Sequence, residues 1–461
     1  MRSTPEIDAR AGLEKLTAYP FQIATWVATS GYPVSVAVNA QIDAASGIAR
    51  FKAPAGLDIP TSHDISLTGS HIRPQPGYGY DQRRHVTVWG PALVQYGTVT
   101  MRGKDAWGWD EAEVPFFEYS ERSVGKSRRY FDALSAERGT PVKPRLSFGF
   151  LTLRTTRLPF LTATLVPVAL GIFIAARQGS FDLVAALLTI VAASFVQLGL
   201  NVANDVFDTI QGADDANVTP TQFSGGSRVI QSGLVSLRQM AALSTVFYVL
   251  AGAIGLVLLA TRGSTALLAI GVVGFVVSLG YTAPPLKFVY RGLGEISVAL
   301  GFGPFMLVGA YVVQTRGALS WEPFAASIPV ALLVALILYV NEIPDRRGDA
   351  HAGKRTLPVR FSRGAVIAGY NVAAAGAYVA LVAGVVVGLL PIPALLMLLT
   401  IPLARQVSRG LEPNYDNPYG LMAVMGVNVK LHLLAGLALL VGYAVVLIAG
   451  VVAPGVPLFL G

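Results

Sequence analysis

The sequence contains no cysteine and little charge. None of its 461 residues is Cys, and only 13% are Asp, Glu, Lys or Arg. The absence of Cys excludes disulfide bonds and thiolate metal sites. Soluble proteins carry about 25% charged residues. The shortage of charge, together with a hydrophobic content of 53%, therefore indicates that most of the chain lies in a lipid bilayer.

The charge that is present is mostly positive, with a formal net charge of +8. In a soluble protein such an excess would suggest nucleic-acid binding. In a membrane protein it indicates basic cytoplasmic loops, because Lys and Arg accumulate on that side.

Residues 1–145 contain no apolar segment of spanning length but hold four of the five Trp residues. The run RHVTVWGPALVQYGTVTM, Arg84 to Met101, predicts two strands joined by a tight turn, with turn residues at Gly90-Pro91. A charged, more helical stretch covers 110–138. We therefore predict a small β-rich soluble domain over 1–145, with a linker at 142–148.

Apolar segments of spanning length recur from Leu158 onward. They predict an all-α, multi-span membrane bundle over residues 146–461. About nine transmembrane helices are expected, at 158–176, 183–203, 240–260, 264–283, 294–314, 326–343, 364–388, 390–404 and 431–453.

The loops between these segments differ in charge. If the N-terminal domain is cytoplasmic, the cytoplasmic loops hold thirteen Lys and Arg residues, whereas the opposite loops hold only Arg177, Arg262 and Arg316. The positive-inside rule then predicts a multi-pass protein of the cell (inner or plasma) membrane. The N-terminal domain and the charged motifs would lie on its cytoplasmic side.

The first of these motifs ends the second predicted span. In LNVANDVFDTIQGADD, Asn201, Asn204, Asp205 and Asp208 are spaced 0, 3, 4 and 7, so a helix places all four on one face. Carboxylates at membrane depth are costly, and they indicate a functional site.

A second acidic motif ends the sixth predicted span. Asn341, Glu342 and Asp345 repeat the N-[D/E]-x-x-D spacing of the first motif, and Asp349 follows one helical turn later. An internal duplication of a four-helix unit would explain the match.

Two carboxylate clusters on facing helices are suited to Mg²⁺, which takes hard oxygen ligands together with substrate phosphates. We predict metal ligands at Asn204, Asp205, Asp208, Asn341, Asp345 and Asp349. The glycine-rich turn at Gly225 and Gly226 would supply backbone donors to a diphosphate. The cations predicted to bind the diphosphate are Arg228, Lys287, Arg291, Lys354 and Arg355.

Other interpretations fit parts of this pattern. A single acidic cluster would suit an ordinary interfacial helix cap, and Asp214 and Asp215 suit either further ligands or a solvated loop. An ion-coupled transporter is the alternative from another functional class. Transporters usually hold such residues near the bilayer midplane, whereas these lie at helix ends.

The two motifs, NDVFD and NEIPDRRGDAHAGKRTLPVRF, resemble those of the UbiA superfamily of intramembrane prenyltransferases. The resemblance covers residues 150–455. The segments GKRTLPVRF, YRGLGE and SRVIQSGLVS are most similar to the branch that prenylates 1,4-dihydroxy-2-naphthoate in menaquinone synthesis. Glu342 and Pro344 depart from that branch, which often has Asn and an Arg-Asp pair there.

The resemblance implies Mg²⁺-dependent transfer of a polyprenyl group from a polyprenyl diphosphate to an aromatic acceptor, with loss of CO₂ if that acceptor is dihydroxynaphthoate. Asp205, Asp208, Asp345 and Asp349 would be catalytic. Another quinone or lipid acceptor is the alternative within the superfamily. No nucleic-acid partner is expected.

The β-rich domain lies outside that resemblance. In pattern, though in no motif, it resembles the split barrels of the pyridoxamine-phosphate-oxidase and flavin-reductase group. This likeness implies a flavin as a second cofactor.

Overall fold

A computed structural model of the chain describes residues 7–29, 31–59, 61, 63–75, 79–143, 146–217, 220–453 and 456–460. Contacts between residues divide the chain into two units, Met1–Arg129 and Tyr130–Gly461. The predicted domain boundary after residue 145 stays a prediction, and two residues of the predicted linker, 144 and 145, lie outside the described residues.

The N-terminal unit is built on an antiparallel sheet. Its strands run in the order β2-β1-β5-β6-β7-β4-β3, with β8 paired to β6. This sheet confirms the predicted β-rich domain, while the split-barrel closure stays a prediction. The strands are β1 (Gln22–Val27), β2 (Pro33–Val38), β3 (Gln41–Asp43), β4 (Ile48–Lys52), β5 (Asp64–Gln75), β6 (Gly79–Gln95), β7 (Thr98–Arg102) and β8 (Asp105–Asp110).

Two helices accompany the sheet. Helix α1 (Ala9–Leu16) packs so closely that a Cβ on Gly12 would lie 2.6 Å from the Cβ of Ala106 in β8. Leu13 and Leu16 are fully buried in this contact. Helix α2 (Phe116–Arg138) confirms the helical stretch expected after Asp110.

The predicted turn at Gly90-Pro91 is wrong. Strand β6 runs through both residues, and the chain reverses at Tyr96-Gly97 instead. A Cβ at Gly90 would lie 1.9 Å from the carbonyl oxygen of Arg102. This glycine therefore permits a close backbone approach within the sheet, which a sequence pattern does not distinguish from a turn.

The C-terminal unit is helical. Its helices are α3 (Phe148–Thr156), α4 (Thr162–Arg177), α5 (Leu183–Ile210), α6 (Ala213–Ala216), α7 (Leu237–Arg262), α8 (Thr265–Gly280), α9 (Gly294–Leu300), α10 (Met306–Thr315), α11 (Trp321–His351), α12 (Leu357–Arg360), α13 (Arg363–Val386), α14 (Ile401–Asn414) and α15 (Pro418–Val452). Tyr311, Tyr370 and Tyr443 are among its largest fully buried side chains.

Within the described residues, seven helical segments are long and apolar enough to cross a membrane. They match seven of the nine predicted spans. The fourth predicted span corresponds to the shorter helix α8, and the eighth to a 3₁₀ segment, Ile392–Thr400, followed by α14. The multi-span helical fold is thus confirmed, whereas the count of nine stays a prediction.

Side-chain caps define where several of these helices begin. The hydroxyl of Ser236 accepts a hydrogen bond from the backbone N–H of Gln239, and the side-chain oxygen of Gln239 accepts one from the backbone N–H of Ser236. Ser264, Ser320 and Ser362 cap α8, α11 and α13 in similar fashion. Such caps satisfy N–H groups that have no partner inside the helix.

Ion pairs connect the helices at the end of the bundle where α4 ends and α5 begins. Arg177 pairs with Glu322 at the start of α11, and Gln178 Nε2 donates to the same carboxylate at 2.8 Å. Arg262 at the end of α7 pairs with Asp182, which caps α5. The acidic motifs lie at the other end of α5 and α11.

Close helix contact predicts a stability effect at Gly171 of α4. A Cβ there would lie 2.2 Å from the carbonyl oxygen of Leu307 in α10. We expect Gly171→Ala to destabilise the bundle by about 1–3 kcal/mol, because the two helices must separate to admit the methyl group. The measurement is the unfolding temperature of the full chain in detergent.

Gly255→Ala is the matched control, because a Cβ at Gly255 would meet no atom within 4 Å. It should leave the unfolding temperature unchanged or raise it slightly, since Ala favours the helix. Equal unfolding temperatures for the two variants would contradict the close packing of α4 on α10.

Candidate active site

The first acidic motif occupies the last two turns of α5. Asp205 and Asp208 are buried there, with 2% and 5% of their surface exposed. Asp205 pairs with Arg157 and accepts a hydrogen bond from the backbone N–H of Ser227 at 3.1 Å. The first carboxylate therefore joins α5 to the segment before the first span and to the loop after the motif.

Asp208 is held by three side chains of the site. It accepts hydrogen bonds from Lys354 Nζ at 2.7 Å, from the Tyr290 hydroxyl at 2.9 Å and from Asn204 Nδ2 at 3.1 Å. Burial and the charge of Asp208 raise the pKa of Tyr290, so its hydroxyl remains a donor. Asn204 and Asp208 share a helix face, as their spacing predicts.

The second acidic motif lies at the end of α11. Asp345 accepts hydrogen bonds from Asn217 Nδ2 at 2.7 Å and from the backbone N–H of Gly225 at 2.9 Å. Asp349 Oδ1 lies 3.6 Å from Lys354 Nζ. The loop after α5 is therefore bound to the end of α11.

Lys354 connects the two motifs, because its ammonium group contacts both Asp208 and Asp349. Burial alone would lower the pKa of Lys354, but the two carboxylates outweigh burial and raise that pKa well above its usual value. The side chain therefore carries its positive charge between the two helix ends.

The glycine-rich turn lies over these helix ends. Gly225 and Gly226 have φ near +75°, a region that favours glycine, and a Cβ on Gly226 would lie 2.7 Å from Asp214 Oδ2. Burial and the nearby carboxylates of Asp208 and Asp205 raise the pKa of Asp214. The backbone N–H of Gly225, predicted to face phosphate, is bound to a carboxylate here.

These residues enclose a polar cavity of about 90 Å³. Both acidic motifs reach its wall. The cavity is lined by Arg157, Asn204, Asp208, Ala213, Asp214, Asn217, Phe223, Ser224, Gly225, Gly226, Tyr281, Val289, Leu338, Asn341, Glu342, Asp345, Asp349, Lys354 and Thr356. Asp205 lies behind this wall, against Arg157.

The donor atoms on the wall fit Mg²⁺. Among the described residues, Asp214 Oδ2 and Asn341 Oδ1 are buried without a hydrogen-bond partner. Both are hard oxygens, as Mg²⁺ requires. No three acidic or His side chains of the described residues converge on one point. Mg²⁺ usually takes one or two carboxylates together with substrate phosphates and water.

The predicted cations divide into two groups. Lys354 lines the cavity, and the buried Arg228 donates to the carbonyl oxygen of Asp214 beside it. The side chains of Lys287, Arg291 and Arg355 do not line the described cavity. Arg291 instead donates to the carbonyl oxygen of Pro285 at 2.9 Å, and Arg355 is exposed.

Sequence reasoning missed three polar residues of the site: Arg157, Asn217 and Tyr290. Asn217 begins an Asn-Val-Thr sequence, which matches the N-glycosylation pattern. That pattern gives no indication that Asn217 donates a hydrogen bond to Asp345. Tyr290 stands at the start of the YRGLGE segment. Arg157 immediately precedes the first span. Its charge at the boundary of a membrane span is the sequence signal that could have identified it as a site residue.

An apolar chamber of about 510 Å³ adjoins the polar cavity. Its walls come from α5, α7, α8, α9 and α10, and include Leu200, Tyr248, Phe275 and Phe302. Tyr281 lines both the chamber and the cavity. A charged compartment and an apolar compartment therefore meet at this side chain.

Known proteins similar to this chain share its helical region. The protein from Synechocystis sp. named 2-carboxy-1,4-naphthoquinone phytyltransferase is 28% identical over 298 residues, which cover 64% of this chain and 92% of the relative. The 1,4-dihydroxy-2-naphthoate octaprenyltransferase of Bacillus subtilis is 26% identical over 306 residues, 66% of this chain and 95% of the relative. The Escherichia coli protein of the same name is 30% identical over 46% of this chain and 67% of its own length.

Among solved structures, a UbiA homologue from Archaeoglobus fulgidus bound to GPP and Mg²⁺ aligns with a TM-score of 0.46 at 16% identity, over 63% of this chain and 99% of the homologue. The profile of the UbiA prenyltransferase family matches residues 164–428, more than half of the chain. The protein belongs to the UbiA prenyltransferase family and is a prenyltransferase.

Proposed function

We propose that this enzyme transfers a polyprenyl group from a polyprenyl diphosphate to 1,4-dihydroxy-2-naphthoate in menaquinone biosynthesis, with Mg²⁺ as its cofactor. UbiA prenyltransferases use a prenyl diphosphate and an aromatic acceptor. The names of the Bacillus subtilis and Escherichia coli relatives support the choice of acceptor.

The observation that carries the proposal is the junction at Tyr281 between the polar cavity and the apolar chamber. A prenyl diphosphate has an anionic head and a long apolar tail. The cavity, with Lys354 and Arg157 on its wall, suits the head, and the chamber suits the tail. The reacting C–O bond would then lie beside Tyr281.

Metal binding would involve the oxygens of both motifs. The ligands proposed are Asn204, Asp205, Asp208, Asn341, Asp345 and Asp349. Mg²⁺ bound there would neutralise charge on the diphosphate leaving group. Lys354 would add a fixed positive charge on the cavity wall. The other predicted cations, Arg228, Lys287, Arg291 and Arg355, do not line the described cavity and would act on the diphosphate from a greater distance.

The transfer balances without an oxidant. The allylic C–O bond breaks, and its electron pair leaves with the diphosphate. A ring carbon of the acceptor supplies the electron pair of the new C–C bond, and the ring then loses a proton or CO₂ to restore aromaticity. The apolar chamber would exclude water, which otherwise captures the allylic cation.

We further propose that the site faces the cytoplasm at the cell membrane. The helix ends that carry the acidic motifs belong to the side on which the loops hold thirteen of the cations. The positive-inside rule supports this assignment.

The first prediction of the proposed function concerns the acidic motifs. Purified protein in detergent, with Mg²⁺ and labelled geranylgeranyl diphosphate, should prenylate dihydroxynaphthoate but not 4-hydroxybenzoate, homogentisate or geranylgeranylglyceryl phosphate. Asp205→Asn and Asp345→Asn should each lower the rate at least about 100-fold, because charge stabilisation at the leaving group is lost.

Asp215→Asn is the matched control, since Asp215 is exposed and lies outside the cavity wall. It should retain the wild-type rate. Product with a different acceptor would overturn the choice of dihydroxynaphthoate but keep the transfer reaction. No product with any acceptor would refute the proposed function.

The second prediction compares two adjacent cations. Lys354→Gln should raise the KM for the prenyl diphosphate at least about tenfold, because the buried ammonium group is lost from the cavity. Arg355→Gln should change this KM by less than about twofold, the effect of an exposed charge. Equal changes in the two variants would contradict the placement of Lys354, rather than Arg355, on the cavity wall.

The third prediction concerns the N-terminal unit, for which the split-barrel resemblance suggests a flavin. The full-length protein, purified without added cofactor and again after incubation with FMN, should show flavin absorbance that co-elutes with the chain. A colourless protein after both treatments would refute flavin binding.

A further inference from the structure

One part of the polar cavity wall carries buried polar atoms that have no hydrogen-bond donor or acceptor beside them among the described residues. In that part of the chain, neither carboxylate oxygen of Glu342 accepts a hydrogen bond from an N–H group or an alcohol hydroxyl, and the Thr356 hydroxyl has no partner. Glu342 is 5% exposed and Thr356 is 1% exposed. Buried polar groups are normally bonded, so unpartnered ones at a cavity indicate a missing ligand.

The charge around Glu342 limits what this ligand can be. Its carboxyl group lies beside that of Glu295, which accepts a hydrogen bond from the backbone N–H of Leu357 at 3.4 Å. Two adjacent carboxyl groups disfavour any anionic group beside them, whether a diphosphate or the carboxylate of an acceptor, and leave a neutral group as the partner. They attract a group that donates hydrogen bonds.

The position of Glu342 points to the same partner. Tyr281 lies near Glu342 and lines both the polar cavity and the apolar chamber, so this part of the wall lies at the junction where the allylic carbon would react. The second substrate must reach this junction. An aromatic acceptor that carries ring hydroxyl groups offers the hydrogen-bond donors that Glu342 lacks.

We propose that Glu342 and Thr356 bind a ring hydroxyl group of the aromatic acceptor and so select hydroxylated rings. The ring hydroxyl donates a hydrogen bond to the Glu342 carboxylate. The Thr356 hydroxyl bonds to the oxygen of that ring hydroxyl or to a neighbouring substituent of the ring. This inference rests on the proposed prenyl transfer to an aromatic acceptor and assigns its second binding subsite.

Thr356→Val tests the proposal with little risk to folding, because the hydroxyl that it removes has no hydrogen-bond partner in the part of the chain that the structure describes. The KM for dihydroxynaphthoate should rise about threefold to tenfold, the value of one neutral hydrogen bond. The KM for the prenyl diphosphate should not change. Thr282→Val is the matched control, since the Thr282 hydroxyl is also buried and unpartnered among the described residues but does not line the cavity.

Glu342→Gln tests the carboxylate and should raise the KM for dihydroxynaphthoate by about tenfold or more. The monomethyl ethers of dihydroxynaphthoate, used as competitive inhibitors, should bind more weakly than the parent compound to wild type. This preference for the free hydroxyl should largely disappear in Glu342→Gln. Loss of this preference would mean that Glu342 binds the free hydroxyl group, because a general distortion of the site would weaken the parent compound and its ethers alike.

Other results would overturn the proposal. If Glu342→Gln raised the Mg²⁺ concentration needed for half-maximal rate, or the KM for the donor, with the KM for the acceptor unchanged, Glu342 would belong to the metal or diphosphate site. Unchanged kinetics in both Glu342→Gln and Thr356→Val would also refute it, and prenyl transfer by wild type would still stand. A wild-type protein inactive with every acceptor would refute the proposed function itself.

Discussion

The candidate site depends on one buried cation held between two carboxylates. Lys354 bonds to Asp208 at 2.7 Å and lies 3.6 Å from Asp349, so it joins the ends of α5 and α11. Unpaired charges are costly in a low-dielectric interior. The same rule explains why Asp205 has Arg157 beside it and why Asp345 accepts two hydrogen bonds from the loop after α5.

This pairing leaves a compact charged region next to an apolar one. The polar cavity contains ionised groups that already have partners, together with oxygens at Asp214, Asn341 and Glu342 that have none among the described residues. The apolar chamber offers almost no polar atoms and begins at Tyr281. The proposed substrate, with an anionic head and an apolar tail, would place its head toward the paired charges and its tail in the chamber.

Much of this arrangement was readable from the sequence. The 0, 3, 4, 7 spacing placed Asn204 and Asp208 on one helix face, and the matched second motif predicted that two helix ends would meet. The sequence could not rank the cations, because Lys354 and Arg355 are adjacent and only tertiary packing buries one of them. Partners distant in sequence, such as Asn217, leave no local pattern. The turn predicted at Gly90 failed because glycine also serves close backbone contacts.

The ion pairs at the opposite end of the bundle have a mechanical consequence. Arg177 with Glu322, and Arg262 with Asp182, tie α4 to α11 and α7 to the start of α5. At the other end of the bundle, Lys354 joins α5 to α11, so charged pairs hold these two helices at both of their ends. A rod held at both ends tilts far less than a rod held at one end, so the carboxylates of the two motifs stay at nearly constant separation.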